Sequence, residues 1–455
     1  MLQMLKEGVF VMRKSRPLFT ALLVLTAFLL SPGAPLHAMP PVQRVVLTNQ
    51  LVLLVGEDHS LPFVTLQFLT DSGARRDPPG KEGLADLTAR GLLWGTSKRD
   101  LGAINQELDF MGASLTSSSG RDYATLTLRV LKKDFDKGLG ILMDVLTQPT
   151  FPEDELRREV EKTLASIQAA EDEPEEVAGK EFQKTLFLNS RYGHPVEGTR
   201  ESLQRITRED LLQFYRYYYH PNNTILVVVG DVSRDEMRSR VLARIETWPS
   251  GKIPGERFIT GFADQNKTIK IDRPITQANI ILGHRGVSRD NPDYYALTVM
   301  NYILGGGGFS SRLFDEIRVK RGLAYSVASF FDPGRYPGSF QIVLQTKNSS
   351  AREAIALSFQ EMERIRKEPV SEKELEGAKK YLMGSFPMRL DTQAKLVNFL
   401  GQMEYFGLGL KYPESYPSII QAVTREDVLR VAKTYLHPES TILVVVANLN
   451  EAKLE

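Results

Sequence analysis

The fold is decided by a stretch that occurs twice in the chain. The first copy reads His220-Pro221-Asn222-Asn223-Thr224-Ile225-Leu226-Val227-Val228-Val229, and the second reads His437-Pro438-Glu439-Ser440-Thr441-Ile442-Leu443-Val444-Val445-Val446. The Thr-Arg-Glu-Asp runs that begin at Thr207 and Thr424 have the same offset of 217 residues. An offset that stays constant over such a distance indicates a duplicated domain.

Each copy predicts a helix that leads into a buried strand. Thr207 and Thr424 are N-cap residues with an acid three positions later, and His-Pro stops each helix. The β-branched run that follows is typical of a buried strand. Further strands are predicted at 63–70, 124–131, 339–344 and near residue 280, and helices at 83–93, 134–146, 294–304, 351–366 and 371–383. We therefore predict an α+β fold of two duplicated domains, each a mostly antiparallel sheet covered on one face by helices.

The N-terminus has the three parts of a secretory signal. Basic residues at 13–16 precede an apolar run over 18–30, which is followed by Leu36-His37-Ala38. We predict a signal peptide over residues 1–38, with an uncleaved anchor as the alternative, and a periplasmic or secreted protein. No other segment reaches the ~20 apolar residues of a spanning helix, so no stable membrane span is expected after cleavage.

Turn and breaker residues at 249–255 divide the rest of the chain. We predict an N-terminal domain over 39–248, a linker over 249–262 and a C-terminal domain over 263–455. Without residues 1–38 the chain has 53 basic and 55 acidic residues, which argues against a nucleic-acid partner. The absence of cysteine excludes disulfides and thiolate sites.

Short motifs follow one another in a definite order along both halves. They are Glu57–Pro62, Ser72–Arg75, Gly83–Ala85, Gly95-Thr96, Tyr192–Pro195, Gln277–Ile280, Gly305–Gly308, Ser311–Phe314 and Arg318–Val327. In this order they resemble the pitrilysin/insulinase family of zinc metallopeptidases, in particular the branch that includes the mitochondrial processing peptidases. The resemblance covers nearly all of the chain after residue 38, and it implies a zinc-binding helix at 83–96.

The resemblance also implies that the zinc chemistry has been lost. A His-x-x-Glu-His helix of this family would place its two zinc ligands at Asp86 and Arg90 and its general base at Ala89. A guanidinium cannot bind a metal ion, and a methyl group cannot act as a base. The third ligand position falls at 165–167, around Ser166. We expect no zinc and no other cofactor on this chain, a salt bridge between Asp86 and Arg90, and a helix packed in the core through its leucines at 84, 87 and 92.

The second half keeps two elements that the family uses on its substrate. The resemblance assigns Arg318 and Tyr325 to support of the transition state, because a guanidinium and a phenol can hydrogen-bond a developing oxyanion. It assigns substrate contact to a flap formed by Gly305, Gly306, Gly307 and Gly308. The alternatives are an ordinary ion pair at Arg318, a packed Tyr325 and a helix C-cap at the glycines.

Three functions remain open. The main hypothesis is a catalytically incompetent subunit of a secreted heterodimeric zinc metallopeptidase, which helps to hold the peptide substrate while a zinc-bearing partner of the same family cleaves it. The alternative is a non-enzymatic scaffold or peptide-binding protein of the same fold. A third hypothesis is a self-sufficient peptidase with rearranged ligands at Asp86, Glu159, Glu161 and Glu171. The strand at 63–70, where active subunits accept substrate by strand addition, is expected here to complete the sheet or to dock the partner.

Overall fold

Two β-sheets, one in each half of the chain, organise the structure. The computed structural model describes residues 39–188, 190–256, 261 and 266–454. The predicted signal peptide, and residues 257–260 and 262 of the predicted linker, lie outside the described residues. The strands are β1 (Val42–Val46), β2 (Val52–Glu57), β3 (Phe63–Thr70), β4 (Ser114–Ser119), β5 (Ala124–Leu131), β6 (Thr224–Gly230), β7 (Lys267–Asp272), β8 (Gln277–Arg285), β9 (Ala324–Asp332), β10 (Ser339–Lys347) and β11 (Ile442–Ala447).

The two sheets share one strand order. The first runs β1-β2-β6-β3-β5-β4, and the second runs β7-β11-β8-β10-β9. In each sheet the strand from the repeated stretch, β6 or β11, is parallel to one neighbour and antiparallel to the other, while the remaining pairs are antiparallel. β1 is an additional edge strand of the first sheet. The sequence repeat therefore corresponds to two sheets with the same strand order. The predicted α+β class with mostly antiparallel sheets is confirmed.

Helices connect the strands and cover the sheets. Those of the first half are α1 (Leu84–Gly91), α2 (Leu101–Met111), α3 (Phe135–Thr147), α4 (Glu153–Ala170), α5 (Pro174–Leu186), α6 (Arg200–Leu203), α7 (Arg208–Tyr218), α8 (Arg234–Met237) and α9 (Ala243–Ile245). Those of the second half are α10 (Tyr294–Asn301), α11 (Ala351–Lys367), α12 (Glu372–Ser385), α13 (Gln393–Tyr405), α14 (Tyr412–Ala422), α15 (Arg425–Tyr435) and α16 (Leu449–Ala452). Thr207 and Thr424 cap α7 and α15 with reciprocal capping boxes, as predicted.

Each sheet also carries a helix from the other half of the chain. α13 packs on β3 and β6 of the first sheet, and α5 packs on β8 and β11 of the second. In the first sheet, Leu66 and Val228 belong to the core that contains α1. Side chains alternate between the faces of a strand, and Gln67 accordingly points the other way and donates to Asn398 of α13. In the first sheet, the exchanged helix α13 thus covers the face opposite to the one that packs against α1.

The helix α1 packs into the core of the first sheet. Leu84, Leu87 and Leu92 are 3%, 0% and 1% exposed, which confirms the predicted core contacts. Burying a leucine contributes about 1.5–3 kcal/mol, so this helix is retained for packing whatever its chemistry.

Residues Pro41–Glu455 form one compact unit. Because α5 and α13 are exchanged, the two sheets share helices across the predicted linker, and the domain boundaries at 248 and 263 stay a prediction. Of the helices in the described part of the chain, none combines the length and the apolar character required to cross a membrane.

Candidate functional site

The start of α1 is held by a buried carboxyl group. Asp77 accepts hydrogen bonds from the backbone N–H groups of Gly83, at 2.8 Å, and Ala85, at 2.7 Å. Gly83 is the N-cap residue, with φ of 95°, and has no side chain with which to cap the helix itself. Burial raises the pKa of Asp77 well above its usual range. The helix on which a zinc site would be built therefore begins at a defined position.

An ion pair fills the place predicted for the metal. Arg90 donates to Asp86 one turn earlier in α1 and to Glu159 of α4. It also lies 3.3 Å from the hydroxyl of Thr163. Burial raises the pKa of Asp86, and the neighbouring Arg90 opposes that rise. The predicted salt bridge is present, and a second carboxylate joins it.

The other two predicted positions lie at the same place. Ala89 is fully buried, and its carbonyl accepts a hydrogen bond from Ser117 of β4 at 2.6 Å. Ser166 of α4 lines a cleft of about 670 Å³ together with Asp86 and Arg90. Asp86, Arg90 and Ser166 therefore line one cleft, while Ala89 is buried outside its lining, and their correspondence to lost zinc ligands stays a prediction.

The residues present do not fit a zinc ion. Among the described residues, no group of three or more His, Cys, Asp or Glu side chains is arranged to hold a metal. Glu159 is bound by Arg90 and lies 3.6 Å from Lys162, while Glu161 is exposed. Glu171 is also exposed and accepts a hydrogen bond from Gln168 at 3.1 Å. The described residues do not support the hypothesis of rearranged ligands, because Asp86 and Glu159 meet only at the Arg90 guanidinium while Glu161 and Glu171 are exposed.

The glycine run packs closely against β9. A Cβ atom at Gly305 would lie 2.5 Å from the Ser329 hydroxyl, and one at Gly307 would lie 2.7 Å from the Tyr302 carbonyl. Gly308 has φ of 54° and open space around it. Close packing accounts for Gly305 and Gly307, and the predicted contact of the four glycines with substrate stays a prediction.

Arg318 and Tyr325 lie together on the surface of the second half. Arg318 donates to the backbone carbonyl of Tyr325 at 2.6 Å. Its guanidinium carbon is 5.5 Å from the centroid of the Tyr325 ring and 4.9 Å from that of Phe314. Tyr325 is 70% exposed, and in the described part of the chain no carboxylate forms an ion pair with Arg318. Neither the ordinary ion pair nor the packed tyrosine that was considered as an alternative is present.

β3 lies inside the first sheet, in agreement with the first of the two expectations for this strand. β3 pairs with β5 on one side and with β6 on the other, so it completes the sheet and offers no edge for strand addition. The edge strands on this side of the two sheets are β4 and β9. On β9, the carbonyls of Tyr325 and Ser329 accept hydrogen bonds from the side chains of Arg318 and Asn301. Part of the hydrogen-bonding capacity of that edge strand is therefore already used.

The chain is similar along most of its length to proteins of one family. A family model described as Insulinase (Peptidase family M16) matches residues 52–200, and one described as Peptidase M16 inactive domain matches residues 205–382. A crystal structure of a peptidase M16 inactive domain from Pseudomonas fluorescens is 30% identical, covers 89% of this chain and 98% of its own, and superposes with a TM-score of 0.83. The chain belongs to the M16 peptidase family. The pitrilysin/insulinase resemblance is thereby confirmed.

Relatives within the M16 family include chains named as proteases and a chain named as a non-peptidase. An "Uncharacterized zinc protease" of Rickettsia bellii is 27% identical over 407 residues, which are 88% of this chain and 97% of the relative. A "Non-peptidase homolog YmxG" of Helicobacter pylori is 27% identical over 423 residues, which are 90% of this chain and 96% of the relative. The non-peptidase name and the inactive-domain description support the coarser part of the functional prediction, an inactive M16-like protein.

One polar network of this M16 chain was not found from its sequence. Arg75 is 1% exposed and forms ion pairs with Asp71, Asp122 and Glu256. Tyr405 of α13 donates to Asp71 at 3.0 Å, so the network also holds the exchanged helix. The sequence shows Arg75 only as part of a family motif, because Asp122 and Glu256 lie far away along the chain. Asp77 was missed because it precedes the N-cap by six residues, beyond the reach of N-cap patterns.

Proposed function

We propose that this chain is the noncatalytic subunit of a heterodimeric zinc metallopeptidase. A zinc-bearing M16 partner supplies the metal and the general base, and this chain supplies Arg318 and Tyr325 beside a bound peptide. The observation that carries the proposal is an asymmetry between the two halves. The metal position holds an ion-paired Arg90, whereas the half-buried Arg318 pairs with the exposed Tyr325 rather than with a carboxylate of the described residues.

The chemistry of the pair suits a supporting role. The guanidinium of Arg318 uses one nitrogen for the Tyr325 carbonyl and keeps further N–H donors for a ligand. The Tyr325 phenol lies on an exposed strand residue. Donors of this kind stabilise the charge that develops on a peptide carbonyl oxygen when water attacks it. They contribute only if a partner brings the zinc-bound water to the same peptide bond.

Export to the periplasm is part of the proposal. It is supported by the basic, apolar and small-residue segments of the first 38 residues. Mass spectrometry of the protein from a periplasmic fraction tests it, with a mature N-terminus close to Met39 expected. A full-length chain in the membrane fraction would favour the uncleaved anchor instead.

Co-purification from the native source tests the heterodimer directly. An affinity tag at the C-terminus should recover a second M16 chain that carries the His-x-x-Glu-His motif, with about one zinc ion per pair of chains. Purification of this chain alone, without a zinc-bearing relative, would contradict the proposal.

A second candidate function is a non-enzymatic scaffold or peptide-binding protein. The name of the Helicobacter pylori relative favours it, because a chain of similar length and sequence carries the description of a non-peptidase. The same co-purification separates the two candidates, since a scaffold would be recovered in a complex that cleaves no peptide and contains no zinc.

A further inference from the structure

A cavity of about 510 Å³ in the second half shares no lining residue with the cleft at Asp86 and Arg90 or with the Arg318–Tyr325 pair. It is bounded by α13, by the turn that precedes α13, and by the first residues of α10 and α14. Its basic lining residues are Arg289, Arg389 and Lys395. Among the described residues that line it, none is acidic. The cavity is therefore an electropositive site in a chain whose overall charge is near zero.

Both arginines rest on aromatic rings instead of carboxylates. The guanidinium carbon of Arg289 lies 3.8 Å from the ring centroid of Tyr294, and a terminal nitrogen donates to the Tyr412 hydroxyl at 3.4 Å. The guanidinium carbon of Arg389 lies 5.7 Å from the ring centroid of Phe386. In the part of the chain that the structure describes, neither arginine has a carboxylate at ion-pair distance. Ring faces hold a guanidinium in place while leaving N–H donors at its edge for an anion.

Lys395 differs from the two arginines. It pairs with Asp391 at 2.8 Å and donates to the carbonyl of Met388 at 2.9 Å. Its charge is therefore largely balanced, and the uncompensated charge of the cavity comes from Arg289 and Arg389.

The rest of the wall is mostly apolar. Phe399 and Tyr412 stack with an interplanar angle of 14°, and their ring centroids are 6.0 Å apart. The other apolar contributors are Pro333, Met388, Met403, Phe406 and Leu408. A volume of this size, with an apolar wall and a few polar groups, is typical of a small-molecule site.

We propose that this cavity binds a small organic anion in which a carboxylate is attached to an apolar body. Arg289 and Arg389 bind the carboxylate, whose planar shape suits the guanidinium fork. The aromatic and methionine side chains surround the apolar body. Two sources share this chemistry, namely the C-terminal residue of a peptide and a free carboxylic acid. Binding at this site does not require the heterodimer or any peptidase activity.

Calorimetry with N-acetyl-L-phenylalanine tests the charge requirement. The acid should bind the full chain at least about tenfold more tightly than N-acetyl-L-phenylalaninamide, because only the acid forms charge-assisted hydrogen bonds. Its affinity should fall as salt is added. A tetrapeptide that ends in phenylalanine distinguishes the sources: tighter binding than the single residue identifies a peptide C-terminus, and weaker binding identifies a free acid. Equal affinity for acid and amide, or tighter binding of phenyl phosphate than of the acid, would overturn the proposal.

Two substitutions test the residues. Arg289→Gln and Arg389→Gln should each weaken binding of the acid at least about fivefold, while Arg157→Gln, an exposed arginine of α4, should leave it unchanged. Arg389 is exposed, so its variant is expected to fold even if Arg289→Gln loses the contact with Tyr294. Undiminished binding in a folded Arg389→Gln variant, or no detectable binding of the acid to the unmodified chain, would refute the assignment.

Discussion

Arg90 and Glu159 form an ion pair that joins α1 to α4. These are the two helices on which M16 ligand positions would lie. The same guanidinium also pairs with Asp86, so one cation separates two carboxylates that would otherwise repel each other. An arginine thus provides the positive charge that a metal ion would provide, without the open coordination position that hydrolysis requires.

Replacing Arg90 should destabilise the protein. The Arg90 side chain is 27% exposed, and those of Asp86 and Glu159 are 13% and 16% exposed. Arg90→Met leaves two like charges poorly solvated, and we expect a loss of about 1–3 kcal/mol in the free energy of unfolding at pH 7. Urea unfolding measures it. Arg157→Met is the control. It removes a solvent-exposed ion pair within α4, the helix that carries Glu159, and should change the free energy of unfolding by less than about 0.5 kcal/mol. Equal effects of the two substitutions would show that the Arg90 pairs are not important.

Zinc should have no effect on the isolated chain. A ligand that binds the native state raises the apparent stability, by about 2.7 kcal/mol at 100 times its dissociation constant. Arg90 repels a cation at the predicted ligand positions, so neither excess zinc sulfate nor EDTA should change the melting temperature. Elemental analysis of the purified chain provides the independent check. Stoichiometric zinc that EDTA removes with a loss of stability would contradict this expectation.

Local patterns predicted the parts of the fold that local interactions determine. The apolar runs at 224–229 and 441–446 became the central strands β6 and β11, and the threonine caps were correct, because both depend on neighbouring residues only. The exchange of α5 and α13 could not be predicted in this way. An amphipathic pattern shows that a helix has an apolar face, but it does not say which sheet that face covers.

In the candidate site, too, the sequence predicted the local contacts and missed the long-range ones. The Asp86–Arg90 pair was predicted because helix geometry brings i and i+4 together. Glu159, the second partner of Arg90, is 69 residues away, and the sequence suggested it only as a rearranged metal ligand. The glycines at 305–308 suggested a mobile flap, because the sequence does not show that residues of β9 lie next to them.

Gly305 offers a test of that packing. A Cβ atom there would lie 2.5 Å from the Ser329 hydroxyl and 2.7 Å from Leu313. Gly305→Ala should therefore cost about 1–3 kcal/mol in the free energy of unfolding, as overpacked sites do. In contrast, Gly377 lies within α12 with open space at its Cβ position, and Gly377→Ala should stabilise the protein by about 0.5–1 kcal/mol. Urea unfolding of both variants compares them, and a neutral Gly305→Ala would support a mobile flap.

His284 should make stability depend on pH. It is 2% exposed, accepts from the backbone N–H of His437 at 3.0 Å, and has its other ring nitrogen 2.8 Å from the Arg285 carbonyl. Burial lowers the pKa of His284 from 6.5 to about 4. Between these two values the unfolded chain binds more protons than the folded chain, so stability falls as the pH is lowered.

The contribution of His284 can be isolated by substitution. Lowering the pH from 7 to 5 should cost about 2 kcal/mol through this one group. His284→Gln should reduce the pH dependence of the unfolding free energy by that amount, whatever its stability at pH 7. His59 has a side chain that is 56% exposed, and the His59→Gln variant should retain most of the pH dependence of the unfolding free energy. If the His284→Gln variant kept the same dependence of unfolding free energy on pH, the His284 ring would already be protonated at pH 5 in the folded protein.

Arg318 and Tyr325 provide the decisive test of the proposed function. In a reconstituted complex with a zinc-bearing M16 partner, Arg318→Ala should lower kcat by about 10²–10³-fold, the loss that follows removal of a transition-state donor. Tyr325→Phe should lower it by a smaller factor, since it removes only one hydroxyl. Tyr325 is exposed and Arg318 is only half-buried, with no ion pair to a described carboxylate, so the melting temperature of the isolated chain should remain close to that of the unmodified chain. Cleavage of a fluorogenic peptide measures the rates.

Lys320→Ala is the matched control for these variants. Lys320 belongs to the same surface segment and pairs with Glu316 and Asp315, so its removal changes the local charge by the same amount as Arg318→Ala. If the loss in activity came from general electrostatics, the two variants would behave alike. If Arg318 donates to the substrate, Lys320→Ala should retain nearly full kcat while Arg318→Ala does not. Full activity in both Arg318→Ala and Tyr325→Phe would leave this chain a scaffold for the partner and not a contributor to catalysis.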